Sequence, residues 1–240
     1  MAEDRPTGYL SAEAEAALKQ VSTATLTSQL LKRGFRNTFL TGVEPLRPDL
    51  RMVGYAFTLR FVPMREDLDH SGPVDNLTSA QRIAIESVGP GDVLVMDARG
   101  DVNSGTIGDI LATRMKVRGA VGVVTDGALR DRHGMQQTGM PSYARATHAS
   151  ASPTRHHSAD INRPIGCAGV LIMPGDVVVG DADGVVVIPQ AVAEEVAHAA
   201  LEQEDLEAFV LTKIEAGSSI IGVYPPDNST RAEFEKQRRS

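Results

Sequence analysis

The chain has 240 residues, of which 42% are hydrophobic, enough to bury a sizeable core in one domain that spans residues 1–240. A formal charge of -7, no tryptophan and 4% aromatic residues argue against a nucleic-acid partner, which needs clustered basic side chains and stacking surfaces. The single Cys167 excludes a disulfide framework and a cysteine-based zinc site, and it favours a reducing cytoplasm.

The N-terminal segment 1–40 is predicted to be helical. It has no basic region followed by an apolar run, and nowhere in the sequence do about 18 apolar residues, the length of a membrane span, follow one another. Apolar residues recur at near-helical spacing from Ser11 to Lys32, and Gly34 follows as a stop. Ser22, Thr23 and Thr25 are each suited to cap a second helix start within this run. We therefore expect two helices, no export signal and no membrane contact.

A strand, a loop and a helix are predicted next. The segment MVGYAFTLRFV, after Leu46, has the texture of a strand with Gly54 at a bend. PMREDLDHSGPVDN is polar and rich in turn-forming residues, which predicts a loop before a helix from Ser79 to Ser87.

Two segments then share the pattern P-G-D-V-x-V-x-D-A-x-G. They are PGDVLVMDARG, Pro90 to Gly100, and PGDVVVGDADG, Pro174 to Gly184. Because a solenoid needs at least about three repeats, the pair predicts two equivalent strands of one sheet system. Asp92 and Asp176 are interpreted as turn residues whose side chains accept hydrogen bonds from nearby backbone amides.

The remaining elements alternate between helix and strand. A helix is predicted from Gly108, then a strand at AVGVVTD, then a loop-rich region through HASASPTRHHSADINRPIG. VVVIP continues the sheet, and a long helix runs from Gln190 to Ala216 with Gly217 as its stop. The tail, 218–240, is expected to form a short helix that packs on another subunit or frays.

The stretch GDILATRMKVRGAVGVVTDGALRD places acids and an arginine at both ends of a strand–helix–strand unit. A parallel crossover brings the helix start and the carboxyl ends of both strands to one edge of the sheet. Asp109 lies at the helix start, and Arg130 and Asp131 follow the second strand after a predicted tight GAL turn. These three residues are therefore expected to share one crevice, although each alone is also typical of a helix cap or a surface turn.

The crevice has the chemistry to bind a metal-chelated 2-oxo acid. The unpaired amides of a helix start, here those of Gly108 to Leu111, suit a carboxylate. A guanidinium such as that of Arg130 suits a carboxylate or an enolate oxygen, and aspartate oxygens are hard ligands for Mg²⁺ or Mn²⁺. Ligands also bind at this edge in many α/β sheets.

The spacing of Gly105, Gly108, Asp109 and Arg130-Asp131 resembles the signature of the RraA-like family, which includes 4-hydroxy-4-methyl-2-oxoglutarate/4-carboxy-4-hydroxy-2-oxoadipate aldolases. The resemblance covers most of the chain, including VSTATLTSQLLKRG, PLRPDLRMVGYAFTLR, GDVLVMDARGD and IGCAGVLIMPGDVVVGDADGVVVIP. It implies an α/β protein with the swivelling β/β/α fold of phosphohistidine domains and flanking terminal helices. It also implies trimers or hexamers with a site at the subunit interface.

The resemblance also implies a role for each site residue. The backbone of Gly108, Asp109, Ile110 and Leu111 is similar to a pyruvate-carboxylate site, Arg130 to the group that contacts the keto oxygen, and Asp131 to the metal ligand. In relatives, an acid on a neighbouring subunit's late helix also holds metal-bound water. Three residues are candidates for that role, and none is assigned it: Glu202, Glu204 and Glu207.

The expected activity is a class II aldolase reaction, in which a 4-hydroxy-2-oxo acid is cleaved to release pyruvate with the help of Mg²⁺ or Mn²⁺. Arg130 stabilises the enolate, and Asp109 or a metal-bound water relays the proton. Loss of CO₂ from oxaloacetate gives the same enolate, so decarboxylase activity is expected as well.

Two alternatives differ in mechanism or class. A Schiff-base aldolase needs a buried lysine, but the five lysines all occupy polar or amphipathic helical contexts. The stronger alternative is a non-catalytic RraA-like regulator that binds and inhibits an endoribonuclease, because the same fold can support both functions. The histidines, His133, His156, His157 and His198 among them, and Cys167 are interpreted as surface or packing residues.

Overall fold

The computed structural model describes residues 10–69 and 72–238. The helices are α1 (Ala12–Leu18), α2 (Thr23–Lys32), α3 (Ala80–Ser87), α4 (Asp109–Val117), α5 (Arg132–Thr138), α6 (Gln190–Glu215) and α7 (Asn228–Arg238). The strands are β1 (Glu44–Pro45), β2 (Met52–Pro63), β3 (Asp92–Asp97), β4 (Gly122–Leu129), β5 (Ser142–Thr147), β6 (His156–Ile161), β7 (Ile165–Cys167), β8 (Val170–Ile172), β9 (Val177–Gly180) and β10 (Val185–Ile188). None of the helices in these two ranges is long and apolar enough to cross a membrane.

One mixed sheet organises the fold. Its strand order is β1-β5-β4-β3-β2-β9-β10, and β6 pairs with the second half of β2. The neighbours β2, β3, β4 and β5 are parallel, so their carboxyl ends lie at one edge, whereas β7 and β8 form a separate hairpin. The predicted strand–helix–strand unit is therefore β3, α4 and β4, with Gly119 in the left-handed conformation after the helix.

The strands of the two PGD segments belong to one sheet, as the repeat predicts, and they lie on either side of β2. They are not equivalent, because β3 runs parallel to β2 and β9 antiparallel to it. Asp92 on β3 and Val177 on β9 both pair with Tyr55, from opposite sides. The carboxylate of Asp92 accepts a hydrogen bond from the Gly89 amide at 2.7 Å, and that of Asp176 accepts one from the Met173 amide at 2.8 Å. Both side chains thus bond a nearby backbone amide, as predicted, but only Asp176 lies in the turn, since Asp92 is the first residue of β3.

The core has a cluster on each face of the sheet and a third around the terminal helices. Successive residues of a strand point to opposite faces, so Leu94 packs with α3, α4 and α5 while Val93 and Val95 pack with the β7–β8 hairpin. The third cluster joins α1, α2 and α6 to β9 and β10. The Ser22 side chain caps α2 by accepting from the Thr25 amide at 3.1 Å, as predicted.

Two details of the predicted strands are wrong. Gly54 is not at a bend, because β2 runs unbroken from Met52 to Pro63. A Cβ atom there would lie 2.5 Å from the Gly91 carbonyl oxygen, so the glycine permits a close approach of two chain segments. The GAL segment is not a turn either, since β4 continues through it to Leu129 with a register irregularity opposite β5.

The region predicted as loop-rich contains more regular structure than expected. It includes the strand β6. The helix α5 and the strand β5, which precede this region, were not predicted either. The residues of β6 after His156 are only partly buried, because this strand lies at the sheet margin against β2. A strand with this exposure carries polar residues on both faces, so it lacks the alternation that identifies a half-buried strand.

The C-terminal tail forms the expected helix, and it packs within its own chain. The rings of Phe209 on α6 and Phe234 on α7 lie 5.7 Å apart, and Lys213 pairs with Glu233. The long helix α6 ends before Gly217, which adopts a positive φ of 91°. The expectation that the tail frays is therefore wrong for the described residues up to Arg238.

The close approach at Gly54 predicts a stability difference between two glycine substitutions. Gly54→Ala inserts a methyl group against a backbone oxygen and the side chains of Val93 and Val121, and should lower the free energy of unfolding by about 1–3 kcal/mol. Gly166→Ala is the matched control because no atom lies within 4 Å of its Cβ position. Its effect should stay within roughly 0.5 kcal/mol in urea unfolding. Equal stability of the two variants would contradict this account.

Candidate active site

Arg130 and Asp131 occupy the corner between β4 and α5. Asp131 has left-handed backbone angles, φ 56° and ψ 49°, and it precedes the first turn of α5. The Arg130 Nε atom lies 3.5 Å from Asp131 Oδ1, and the two side chains are 45% and 41% exposed. The guanidinium and carboxylate are thus paired at the surface, where both can reach a small ligand.

The start of α4 lies directly beneath this pair. Gly108 is the N-cap of α4, and a Cβ atom at Gly108 would lie 2.4 Å from Asp131 Oδ2. Only a residue without a side chain leaves room for the carboxylate at this place. The structure thus brings together Gly108 and the Arg130-Asp131 pair, as the crossover argument predicts.

Asp109 is turned towards α5. Its Oδ1 atom accepts a hydrogen bond from the Ile110 amide at 2.8 Å. Its Oδ2 atom packs against Gly134, where an added Cβ atom would lie 2.1 Å from this oxygen. The Ala112 amide donates to the Gly108 carbonyl, whereas the Leu111 amide has no acceptor among the described residues. The protein therefore already uses one of the predicted anion-binding amides, that of Ile110.

A buried segment, Ser104–Ile107, supports the backbone of Arg130. The Thr106 amide donates to the Ala128 carbonyl at 2.7 Å, and the Arg130 amide donates to the Ile107 carbonyl at 2.8 Å. A Cβ atom at Gly105 would lie 2.6 Å from the Arg130 Cβ atom. This segment is therefore packed directly against the residue that it holds.

Asp126 is a structural carboxylate that the sequence pattern did not single out. It is 3% exposed on β4 and accepts hydrogen bonds from the amides of Ala98, Gly100 and Ala168. These bonds tie the segment after β3 to the β7–β8 turn. An acid inside the otherwise apolar run VGVVTDGAL was the available signal, since a buried carboxylate requires such partners.

An open cleft of about 390 Å³ adjoins the pair and is lined by Arg130, Asp131, Arg132, Thr147, His148 and Ala149. The His148 Nδ1 atom accepts from the Ser150 amide at 3.1 Å, so a neutral ring carries its hydrogen on Nε2. Arg132, Thr147 and His148 were not predicted site residues. Arg132 is the first residue of α5, directly after Asp131, whereas Thr147 and His148 reach the cleft because β5 runs parallel to β4. The sequence pattern predicts neither α5 nor β5.

The other candidate residues have contacts away from the cleft. Glu204 accepts from the Ser22 amide at 2.6 Å and Glu207 from the Gln203 side chain, both within the chain. Cys167 is a packed residue, as predicted, and burial raises the pKa of its thiol well above the usual value.

In the two described ranges, no three His, Cys, Asp or Glu side chains converge on a common metal position. Within these ranges, Asp131 is therefore not part of a group of three such side chains.

These features define a class: α/β proteins with a helix start, an arginine and an acid at the carboxyl ends of parallel strands. The chain belongs to the RraA-like family, because the family model described as Aldolase/RraA matches residues 23–187. The expected RraA-like fold is confirmed. The match ends before α6 and α7, so these two helices lie outside the part of the chain that matches the family.

Three relatives illustrate the range of this family. A Halalkalibacterium halodurans protein provisionally named 4-hydroxy-4-methyl-2-oxoglutarate aldolase is 38% identical over 162 residues, or 68% of this chain and 71% of that protein. Streptomyces coelicolor RraAS2, described as an unusual member of the RNase ES inhibitor RraA protein family, is 35% identical with a TM-score of 0.76, over 85% of this chain and 98% of that structure. A Pseudomonas syringae pv. tomato protein gives a TM-score of 0.77 at 26% identity, over 90% and 98% of the two chains.

The hydrogen bonds of Asp126 predict a stability effect that does not depend on activity. Asp126→Asn replaces one acceptor by an amide group facing backbone donors, and should cost about 1–3 kcal/mol of unfolding free energy. Asp49→Asn is the control, because Asp49 is exposed and its carboxylate pairs with Arg47, two residues earlier on the surface. That change should stay within roughly 0.5 kcal/mol by urea unfolding. Similar losses in both variants would refute the role of Asp126.

Proposed function

We propose that the protein is a divalent-metal-dependent aldolase that cleaves a 4-hydroxy-2-oxo acid and releases pyruvate. One observation carries this proposal: the Asp131 carboxylate lies over the start of α4, within 3.5 Å of the Arg130 guanidinium. A cation ligand, an oxyanion-binding group and a helix start therefore meet at one point. The aldolase name of the 38% identical relative supports the same reaction class.

The donor set fits a hard divalent cation. Asp131 offers a half-exposed carboxylate, and Mg²⁺ commonly binds proteins through one or two carboxylates while keeping several waters. Mn²⁺ accepts the same oxygen ligands. Asp131 would hold the ion, which, when bound, acts as a Lewis acid on the keto oxygen of the substrate.

The chain's own groups would then divide the work of carbon–carbon cleavage. The helix-start amides of Gly108–Leu111 bind the carboxylate of the pyruvyl unit. The Leu111 amide is available for this, whereas the Ile110 amide must first be released from the Asp109 carboxylate. The C4 hydroxyl loses its proton to Asp109, whose Oδ2 atom must first leave its packing against Gly134, because Oδ1 accepts from the Ile110 amide. As the C3–C4 bond breaks, its electron pair forms the enolate of pyruvate, and the Arg130 guanidinium stabilises the negative oxygen. C4 leaves as the carbonyl carbon of the second product, and the proton taken from its hydroxyl is returned to C3, which completes the release of pyruvate.

The same groups fit oxaloacetate decarboxylation as a side activity, because loss of CO₂ leaves the same enolate. A Schiff-base route is disfavoured, since four of the five lysines are exposed and the fifth, Lys213, pairs with Glu233 far along α6. We further propose that residues 1–240 act as one domain in a cytoplasmic trimer or hexamer. An acid from a neighbouring copy would then add to the single Asp131 carboxylate.

Arg130→Ala should lower kcat by about 10²–10³, because the removed guanidinium stabilises charge that develops only in the transition state. The measurement is pyruvate release from a panel of 4-hydroxy-2-oxo acids with Mg²⁺. The control is Arg114→Ala at the other end of α4, where the guanidinium pairs with Glu86. Near-normal turnover by the Arg130 variant would remove this residue from the mechanism.

Asp131→Ala should weaken Mn²⁺ binding by more than the roughly 10–100-fold that loss of an outer-shell partner costs. Calorimetry on the purified protein measures this affinity without any substrate. Asp49→Ala serves as the surface control. Unchanged Mn²⁺ affinity in the Asp131 variant, or pyruvate release that persists with excess chelator, would contradict a metal held by Asp131.

The alternative function is inhibition of an endoribonuclease. The 35% identity to RraAS2, a member of the RNase ES inhibitor RraA protein family, supports this alternative. The same preparation tests both functions. Metal-dependent pyruvate release that is abolished by chelator supports the aldolase. Inhibition of an RNase E-type enzyme by a chain that turns over no member of the acid panel would support the regulator instead.

A further inference from the structure

The cleft beside Asp131 is also lined by two polar side chains that the proposed mechanism does not use. They belong to Arg132, the first residue of α5, and to His148, which follows β5. In the sheet, β4 lies between β3 and β5, so α4 approaches the Arg130-Asp131 corner from the β3 side and His148 from the β5 side. A ligand that has its carboxylate at the start of α4 and fills the cleft therefore extends its other end towards Arg132 and His148.

The His148 ring is held so that it offers a hydrogen-bond donor. Its backbone amide donates to the Leu129 carbonyl at 2.9 Å, and its Nδ1 atom accepts from the Ser150 amide at 3.1 Å. The hydrogen of the neutral ring is then on Nε2, and this atom has no hydrogen-bond partner in the ranges 10–69 and 72–238. The ring is half-buried and lines the cleft, so this N–H group is open to a ligand there.

Arg132 adds an unpaired positive charge to the same cleft. Its side chain is exposed and forms no hydrogen bond or ion pair with another described residue. Among the described residues that line the cleft, Asp131 is the only acid, and it already lies 3.5 Å from the Arg130 Nε atom. With a divalent cation on Asp131, an excess of positive charge remains even after the pyruvyl carboxylate is bound. The far end of the cleft therefore attracts an anion more strongly than a neutral group.

We propose that Arg132 and His148 determine substrate specificity by binding an anionic group on C4 of the substrate. The planar guanidinium supplies charge and paired donors for a carboxylate, and the His148 Nε2–H group supplies a further donor on a ring that the Ser150 amide orients. The inference rests on the proposed function, because the start of α4 and the cation on Asp131 decide which end of the acid faces these residues. It narrows the substrate class to 4-hydroxy-2-oxo acids with a second negative charge on the leaving fragment.

Calorimetry with two acids that cannot be cleaved measures this preference without turnover. 2-Oxoglutarate and 2-oxopentanoate have the same chain length, differ in a carboxylate or a methyl group on C4, and lack the 4-hydroxyl group that cleavage requires. With Mn²⁺ present, the unmodified chain should bind 2-oxoglutarate about 10–100-fold more tightly, as expected for hydrogen bonds to a charged group. Arg132→Met should lower this ratio of affinities about 10-fold, and His148→Leu, which removes a neutral donor, about 3–10-fold.

Matched variants separate recognition of the anion from general damage. Arg36→Met removes an exposed arginine that does not line the cleft and causes the same change in net charge, so it should leave the ratio unaltered. Arg132→Lys keeps the charge and His148→Gln keeps an amide donor, so each should recover part of the preference that the apolar substitution loses. Should His148→Leu fail to fold, Arg132→Met decides, because Arg132 is exposed.

Cleavage kinetics provide the second measurement. The ratio of kcat/KM for 4-hydroxy-2-oxoglutarate to that for 4-hydroxy-2-oxopentanoate should fall in Arg132→Met by a factor similar to that seen in binding. The proposal is overturned if the unmodified chain does not prefer 2-oxoglutarate, if Arg132→Met or a folded His148→Leu weakens both acids equally, or if Arg36→Met lowers the ratio as much.

Failure of the specificity proposal and failure of the proposed function give different results. A chain that cleaves both substrates with a ratio unaffected by Arg132→Met refutes the role of Arg132 alone. A chain that cleaves neither substrate, but whose preference for 2-oxoglutarate is lost in Arg132→Met, refutes the aldolase function and supports the anion-binding role of Arg132.

Discussion

The contact between Gly108 and the Asp131 carboxylate is the constraint on which the candidate site depends. A side chain at position 108 would occupy the space of the carboxylate oxygen, so the glycine lets residues 23 positions apart meet. The left-handed backbone of Asp131 directs its side chain back over α4 instead of along α5. For a residue other than glycine this conformation is uncommon, and the surrounding hydrogen bonds hold it in place.

Several buried polar contacts stabilise the backbone around the corner between β4 and α5. Asp126 ties the end of β3 to the β7–β8 turn, and the segment Ser104–Ile107 is bonded to β4 on one side and to Ser150 on the other. Such contacts are expensive to build and are kept only when fully satisfied or functionally required. The exposed part of the site, Arg130 and Asp131, thus rests on a rigid interior. This arrangement suits a group that has to be oriented before charge develops on a substrate.

The sequence predicts the elements that have strong local patterns. Each of these elements depends on a short segment of sequence. They are the PGD repeat, the glycine stops at Gly119 and Gly217, and the crossover that joins Asp109 to Asp131. The missing parts depend on distant partners. Gly54 looks like a bend until Gly91 is known to lie against it, and β6 looks like a loop until β2 is known to pair with it. Thr147 and His148 enter the cleft through the position of β5, and Arg132 enters it as the first residue of α5.

The pairing of β2 on both sides has a consequence for how the chain folds during synthesis. Its first half pairs with β9, which emerges from the ribosome more than a hundred residues later, whereas its pairing with β3 is far closer in sequence. Until β9 arrives, the edge formed by Met52 to Tyr55 carries unpaired backbone groups that can join another nascent chain. The β9–β10 hairpin that covers this edge is made after β3, β4 and β5, so a sheet formed from those strands during synthesis leaves the edge open until the hairpin follows.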